Sequence, residues 1–119
     1  MSLTGWVLIG AAGGLAAVFR YLLDAEIARL ANSPFPIGIL AVNLTGALLV
    51  GLAAGSTLSG QTLTIVAGGL IGSFTTFSTW ILDTHKLALL DQMRLAWLNI
   101  AVSTVAGLAA VVLGHAIAV

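Results

Sequence analysis

The stretch Gly68-Gly69-Leu70-Ile71-Gly72-Ser73-Phe74-Thr75-Thr76-Phe77-Ser78-Thr79-Trp80 decides how this sequence is read. Three glycines, five hydroxyl side chains and three aromatics crowd into a segment that is otherwise strongly apolar on both sides. A helix buried in hydrocarbon needs none of these. Glycine weakens a helix, and serine and threonine offer its backbone competing hydrogen bonds. Within a bilayer, an interrupted helix survives only where protein or a water-lined cavity satisfies the freed groups. The stretch therefore predicts a broken helix at an ion or substrate site, with the break near residues 72–76.

The surrounding composition makes the membrane context plain. The chain has 119 residues, 60% of them apolar and only 7% charged, and its mean hydropathy is +1.15. A soluble domain would carry charge on roughly a quarter of its residues. The absence of cysteine excludes disulfides and thiolate metal sites. A net charge of zero argues against a nucleic-acid partner. No basic segment of signal-peptide type opens the chain, so the first apolar stretch is expected to be a mature transmembrane helix.

Crossing the hydrocarbon core takes about 20 apolar residues per helix. The sequence predicts four such helices, near 4–30, 37–55, 63–90 and 94–117, in one transmembrane domain over 1–119. Asn32-Ser33-Pro34-Phe35-Pro36, Gly55–Gln61 and the polar patch at Asp91-Gln92 separate them. Connections this short make neighbouring helices antiparallel. Arg20, Asp24, Glu26 and Arg29 then lie toward the same side as Asp83, Lys86, Asp91 and Arg94. By the positive-inside rule that side is cytoplasmic. No internal repeat supplies a second half for a pathway, so a second copy is expected to do so.

Individual residues carry two readings each. Gly10, Gly13 and Gly14, with Ala12, Ala16 and Ala17, form a small-residue surface for helix packing. Arg20 either snorkels to the headgroups or draws anions into a vestibule. Asn43, an amide in mid-span, serves as interhelical glue or offers its N–H donors to an anion. Free carbonyls at Gly72 and Thr75 would be hard-cation ligands of the kind that hold Na⁺. The half-helix after the break would present N–H groups suited to an anion. Phe77, Trp80 and Asp83 recur on roughly one face, as core packing or as ring edges along an anion path. Asn99, Ser103 and Gly107, with Thr104 adjacent, draw a narrow polar line on the fourth helix, as a hydroxyl track or as interhelical bonding. His85 and His115 are isolated. Nothing suggests an enzyme: no nucleophile elbow, phosphate loop or metal-spaced histidine cluster is present.

Three motifs in order give a more specific signal. They are Gly13-Gly14-Leu15-Ala16-Ala17-Val18-Phe19-Arg20-Tyr21, Gly38-Ile39-Leu40-Ala41-Val42-Asn43-Leu44-Thr45-Gly46, and Gly72 through Trp80. The chain resembles the Fluc (CrcB) fluoride channels over essentially its whole length. The resemblance implies an all-α dimer of two oppositely oriented copies, with two fluoride pathways at the interface, in the plasma membrane of a prokaryote (the inner membrane if Gram-negative). It implies a central Na⁺ on the main-chain carbonyls of Gly72 and Thr75, and a pathway lined by Asn43, Phe77 and Trp80. Thr76, Ser78 and Thr79 of the same motif, with Arg20, Asp83 and Ser103 at further matching family positions, complete the pathway that the resemblance implies. The function implied is passive exit of cytoplasmic fluoride down its electrochemical gradient, protecting the cell against fluoride.

Trp80 stands where the family commonly has phenylalanine, Ile39 where threonine is frequent and Ser73 where glycine is. The alternatives are a small proton-coupled multidrug exporter, which would need a carboxylate deep in the first helix, and a structural subunit that transports nothing. Asp24 and Glu26 lie past Arg20, at the end of that helix. Pairing with an inverted paralogue is the alternative to a homodimer.

Overall fold

The computed structural model describes residues Met1–Val119 and contains helices and connecting turns, with no strand. Helix α1 runs Leu3–Ala31 and α2 runs Ile37–Gly55. A third helical stretch, Gly60–Leu89, is composite: α3 (Gly60–Leu63), a π-wound segment (Thr64–Ile71), α4 (Gly72–Phe74) and α5 (Phe77–Leu89). Helix α6 closes the chain at Met93–Ala118. All four stretches are long and apolar enough to cross a membrane.

Local chemistry sets the ends. The Ser2 side chain caps α1 by accepting from the Gly5 N–H at 3.0 Å. Asn32 stops α1 in the left-handed conformation, its N–H returning to the Ala28 carbonyl. Two prolines then hold the turn into α2. Between α5 and α6 the chain reverses at Asp91, also left-handed, with the Gln92 N–H bonded to the Leu87 carbonyl at 2.9 Å.

Helix packing depends on missing side chains. A Cβ on Gly114 would run into the Leu48 carbonyl oxygen, and one on Gly51 into that of Val111, so α2 and α6 touch backbone to backbone. The paired positions rise together along both helices, which makes α2 and α6 parallel. Ile9 of α1 packs on Gly69 in the same sense. Close approach of small residues is how helices associate where lipid removes the hydrophobic drive.

Only 16 of 119 residues are buried, while Phe19, Leu22, Val105, Leu108 and Val112 are exposed. In water such a surface would aggregate; against acyl chains it costs nothing. The long axis of 49 Å exceeds the hydrocarbon thickness of about 30 Å. The protein is therefore a multi-pass helical membrane protein.

Candidate functional site

Helical backbone stops at Phe74 and resumes at Phe77. Thr75 (φ −81°, ψ 162°) and Thr76 (φ −148°, ψ 124°) between them are extended. Unwinding from Gly72 onward is the expectation from sequence, yet Gly72 is helical at φ −61°, ψ −37°. The non-helical backbone is confined to the two threonines because partners elsewhere in the chain satisfy them in particular.

Asn43 of α2 is the chief of these partners. Its Nδ2 donates to the Thr76 carbonyl and its Oδ1 accepts from the Thr76 N–H, both at 2.9 Å. One amide thus satisfies both main-chain groups of a residue that is 8% exposed. Gly46, one turn on, leaves room for the Thr75 methyl, which a Cβ there would overlap. Arg20 of α1 donates from Nη1 to the Thr75 carbonyl at 3.3 Å, and the Thr75 N–H reaches the Ile71 carbonyl at 3.1 Å. Thr76 also caps α5, its Oγ1 accepting from the Thr79 N–H at 3.2 Å. A two-residue gap in a membrane helix is tolerable once its groups are paired in this way.

Beside the gap lies an open groove of about 320 Å³ lined by Asn43, Thr75, Thr76, Phe77, Trp80, Ser103 and Thr104. Phe77 and Trp80 meet edge to face, with centroids 5.5 Å apart and planes at 68°. The hydroxyls of the groove are all engaged as donors within the protein. Thr75 Oγ1 donates to the Gly72 carbonyl at 3.3 Å, Thr76 Oγ1 to Thr79 Oγ1 at 3.2 Å, Ser103 Oγ to Asn99 Oδ1 at 3.3 Å and Thr104 Oγ1 to the Ile100 carbonyl at 2.8 Å. The second Nδ2 proton of Asn43 makes no hydrogen bond within the protein, and the ring edges carry partial positive charge.

The structure brings Asn43, Thr75, Thr76, Phe77, Trp80 and Ser103 to one place from three helical stretches. It does not bring the others. Asp83 lines a separate recess of about 270 Å³ with Lys86 and the Ser33–Pro36 turn. Arg20 approaches the gap through the Thr75 carbonyl without lining the groove. Ser78 is exposed and Thr79 belongs to the cap, and neither lines the groove. Thr104 lines it, although sequence reasoning gave it no role of its own. Two further residues behind the groove, Thr84 and Asn99, escaped that reasoning altogether as a pair: Asn99 Nδ2 donates to Thr84 Oγ1 at 2.8 Å. They stand at nearly equal distance either side of the Asp91 turn, a spacing that would have placed them level across the α5–α6 hairpin. No group of three His, Asp or Glu side chains is arranged to hold a metal.

These features define a class: a small multi-pass α-helical membrane protein with a polar groove at mid-helix depth. The particular family follows from comparison, since residues 7–115 match the family described as CrcB-like protein, Camphor Resistance (CrcB), and the chain belongs to that family. It is 42% identical over 113 residues to a Mycolicibacterium paratuberculosis protein named Fluoride-specific ion channel FluC 2, covering 95% of this chain and 93% of that one. The Mycobacterium bovis protein of the same name is 44% identical over 113 residues, covering 95% and 90%. The Symbiobacterium thermophilum protein named Fluoride-specific ion channel FluC 1 is 43% identical over 118 residues, covering 94% and 95%. All three relatives are bacterial, in keeping with a prokaryotic membrane protein.

Proposed function

We propose that this protein is a fluoride-selective channel through which cytoplasmic fluoride leaves the cell passively. The observation that carries the reading is the groove itself, where Asn43 clasps Thr76 beside the Phe77–Trp80 edge pair. The relatives named as fluoride channels support it. Fluoride is small and strongly hydrated, so a pore must replace its water with several modest donors in a narrow space. The spare Asn43 proton and the electropositive ring edges are donors of that kind, weak enough to release the ion again. Arg20, one side chain away, raises the anion concentration nearby. The negative membrane potential supplies the outward drive.

The channel is a dimer of two oppositely oriented copies in the plasma membrane. The resemblance implies a Na⁺ that the carbonyls of Gly72 and Thr75 would hold. In kind these donors fit, being uncharged hard oxygens with a second lone pair each, and Gly72 is exposed. The Arg20 guanidinium on the Thr75 carbonyl would have to share that oxygen with the ion. A matching pair from the second copy would complete four oxygens. When bound, the ion would supply fixed positive charge at the centre of the dimer.

The test is fluoride efflux from liposomes carrying the purified protein, with a K⁺ gradient and ionophore setting the voltage and chloride as control. Rapid, voltage-driven fluoride loss with little chloride movement and no proton gradient is the expected result. Retained fluoride, with organic cations moving against protons, would refute it and direct attention to Asp24 and Glu26.

A further inference from the structure

Behind the groove runs a chain of hydrogen bonds whose direction can be worked out from what each atom is able to do. Thr84 Oγ1 lies 2.9 Å from the Trp80 carbonyl, which can only accept, so the Thr84 proton is spent there. The bond of 2.8 Å between Thr84 Oγ1 and Asn99 Nδ2 must therefore run from the amide to the hydroxyl. That fixes the amide: Nδ2 faces Thr84 and Oδ1 faces Ser103. An amide oxygen only accepts, so the Ser103 proton points at Asn99, across 3.3 Å, and away from the groove that Ser103 lines. Asn99 is completely buried, at 0% exposure. No other donor in the chain reaches its Oδ1.

From this we propose that Asn99, held by Thr84, is a positioning residue that keeps the Ser103 proton out of the pathway and so weakens fluoride binding at that point. The inference rests on the channel reading above. Ser103 can donate to a passing anion only by swinging its proton away from Asn99. Doing so strands a fully buried amide oxygen, at a cost typical of an unsatisfied buried acceptor. The 3.3 Å bond is long enough to break, unlike the 2.8 Å bond that holds the neighbouring Thr104 proton on the Ile100 carbonyl. Ser103 is thus the hydroxyl of α6 able to serve the ion, and Asn99 sets how briefly. A conduction site gains from such weakness, because an ion held too well does not leave.

Two substitutions release Ser103. Asn99→Leu removes the acceptor with little change in shape. Thr84→Val removes the anchor, so the amide can turn its Nδ2 toward Ser103 and the hydroxyl proton becomes free. Initial efflux rate is measured against internal fluoride concentration in liposomes, for both variants, with Ser103 present and with Ser103→Ala. With Ser103 present, we expect the half-saturating fluoride concentration and the maximal rate each to fall about 5- to 10-fold, the scale of one relieved buried acceptor. With Ser103→Ala, the same substitutions should change neither by more than about 2-fold.

An equal change in both backgrounds would mean that Asn99 and Thr84 act through packing alone, and would overturn the inference. So would no change in either. If Asn99→Leu does not fold, Thr84→Val decides the matter by itself, since its shape is conserved. Absence of fluoride flux in the native protein would instead overturn the channel reading beneath it.

Discussion

Replacing Asn43 with alanine tests whether the clasp on Thr76 holds the third helical stretch in shape. The substitution removes two hydrogen bonds of 2.9 Å at once and leaves both main-chain groups of Thr76 without a protein partner. Thr76 is 8% exposed, and each orphaned buried group costs about 1–3 kcal/mol. A dry site would therefore lose about 2–6 kcal/mol in total, and water entering the groove brings the loss toward the lower end. Even about 2 kcal/mol is a large part of the 5–15 kcal/mol that typically separates folded from unfolded protein. The assay pairs thermal unfolding in detergent, followed by size-exclusion recovery after heating, with fluoride efflux from liposomes. Asn43→Asp sharpens the comparison. It keeps an acceptor for the Thr76 N–H but turns a second oxygen on the Thr76 carbonyl, which loses its donor. It also sets a carboxylate in the ion's path, where repulsion across 4 Å amounts to about 4 kcal/mol at an effective dielectric constant of 20. Asn43→Ala should melt well below the native protein with reduced flux, whereas Asn43→Asp should also melt below it and conduct at least about 100-fold more slowly. An alanine variant that melts and conducts like the native protein would refute the clasp.

Three further substitutions follow from the packing and the groove. Gly114→Ala sets a Cβ against the Leu48 carbonyl and should lower the melting temperature sharply. Gly107→Ala, on the same helix with no atom within 4 Å of the added Cβ, should leave it unchanged or higher. Trp80 Nε1 is buried without a partner, so Trp80→Phe should conduct within about 3-fold of native and be no less heat-stable, while Trp80→Ala should conduct poorly; loss of flux in Trp80→Phe would show that the indole N–H is needed. Arg20→Gln takes a cation off the Thr75 carbonyl and should lower the Na⁺ concentration needed for full activity when Na⁺ is replaced by a large organic cation; an unchanged requirement would separate Arg20 from that oxygen.

The membrane fold was legible because composition alone dictates it: four stretches too apolar for water, divided by turns with proline, glycine and charge. Asn43, Phe77, Trp80 and Ser103, singled out on three separate helical stretches, line one groove. What sequence could not give was the extent of the gap. Glycine and hydroxyl residues from Gly72 onward all looked able to unwind, but Thr75 and Thr76 alone are extended. The reason lies 33 and 55 residues away, in Asn43 and Arg20, which satisfy those two threonines and no others. Of the two readings of the polar line on α6, interhelical bonding holds for Asn99, which faces α5; its partner Thr84 drew no attention on a helix already rich in hydroxyls.

The exposed groove is the face that the proposed second copy would cover. Phe77 is 71% exposed, and the groove beside it carries an amide and four hydroxyls. Lipid laid against that surface would leave the second Asn43 Nδ2 proton unpaired, so in a bilayer protein or water is the better cover. A copy in the same orientation would also double the charge asymmetry, since Arg20, Arg29, Lys86 and Arg94 all lie toward one side. An inverted copy cancels it. The chain has no cysteine, so a single Ser33→Cys in the α1–α2 turn reports orientation directly. In intact cells, a membrane-impermeant maleimide should label about half of the molecules if the chain inserts both ways, and the rest only after permeabilisation. Labelling of all or none before permeabilisation would fix the chain in one orientation, and the covering subunit would then have to be an inverted paralogue.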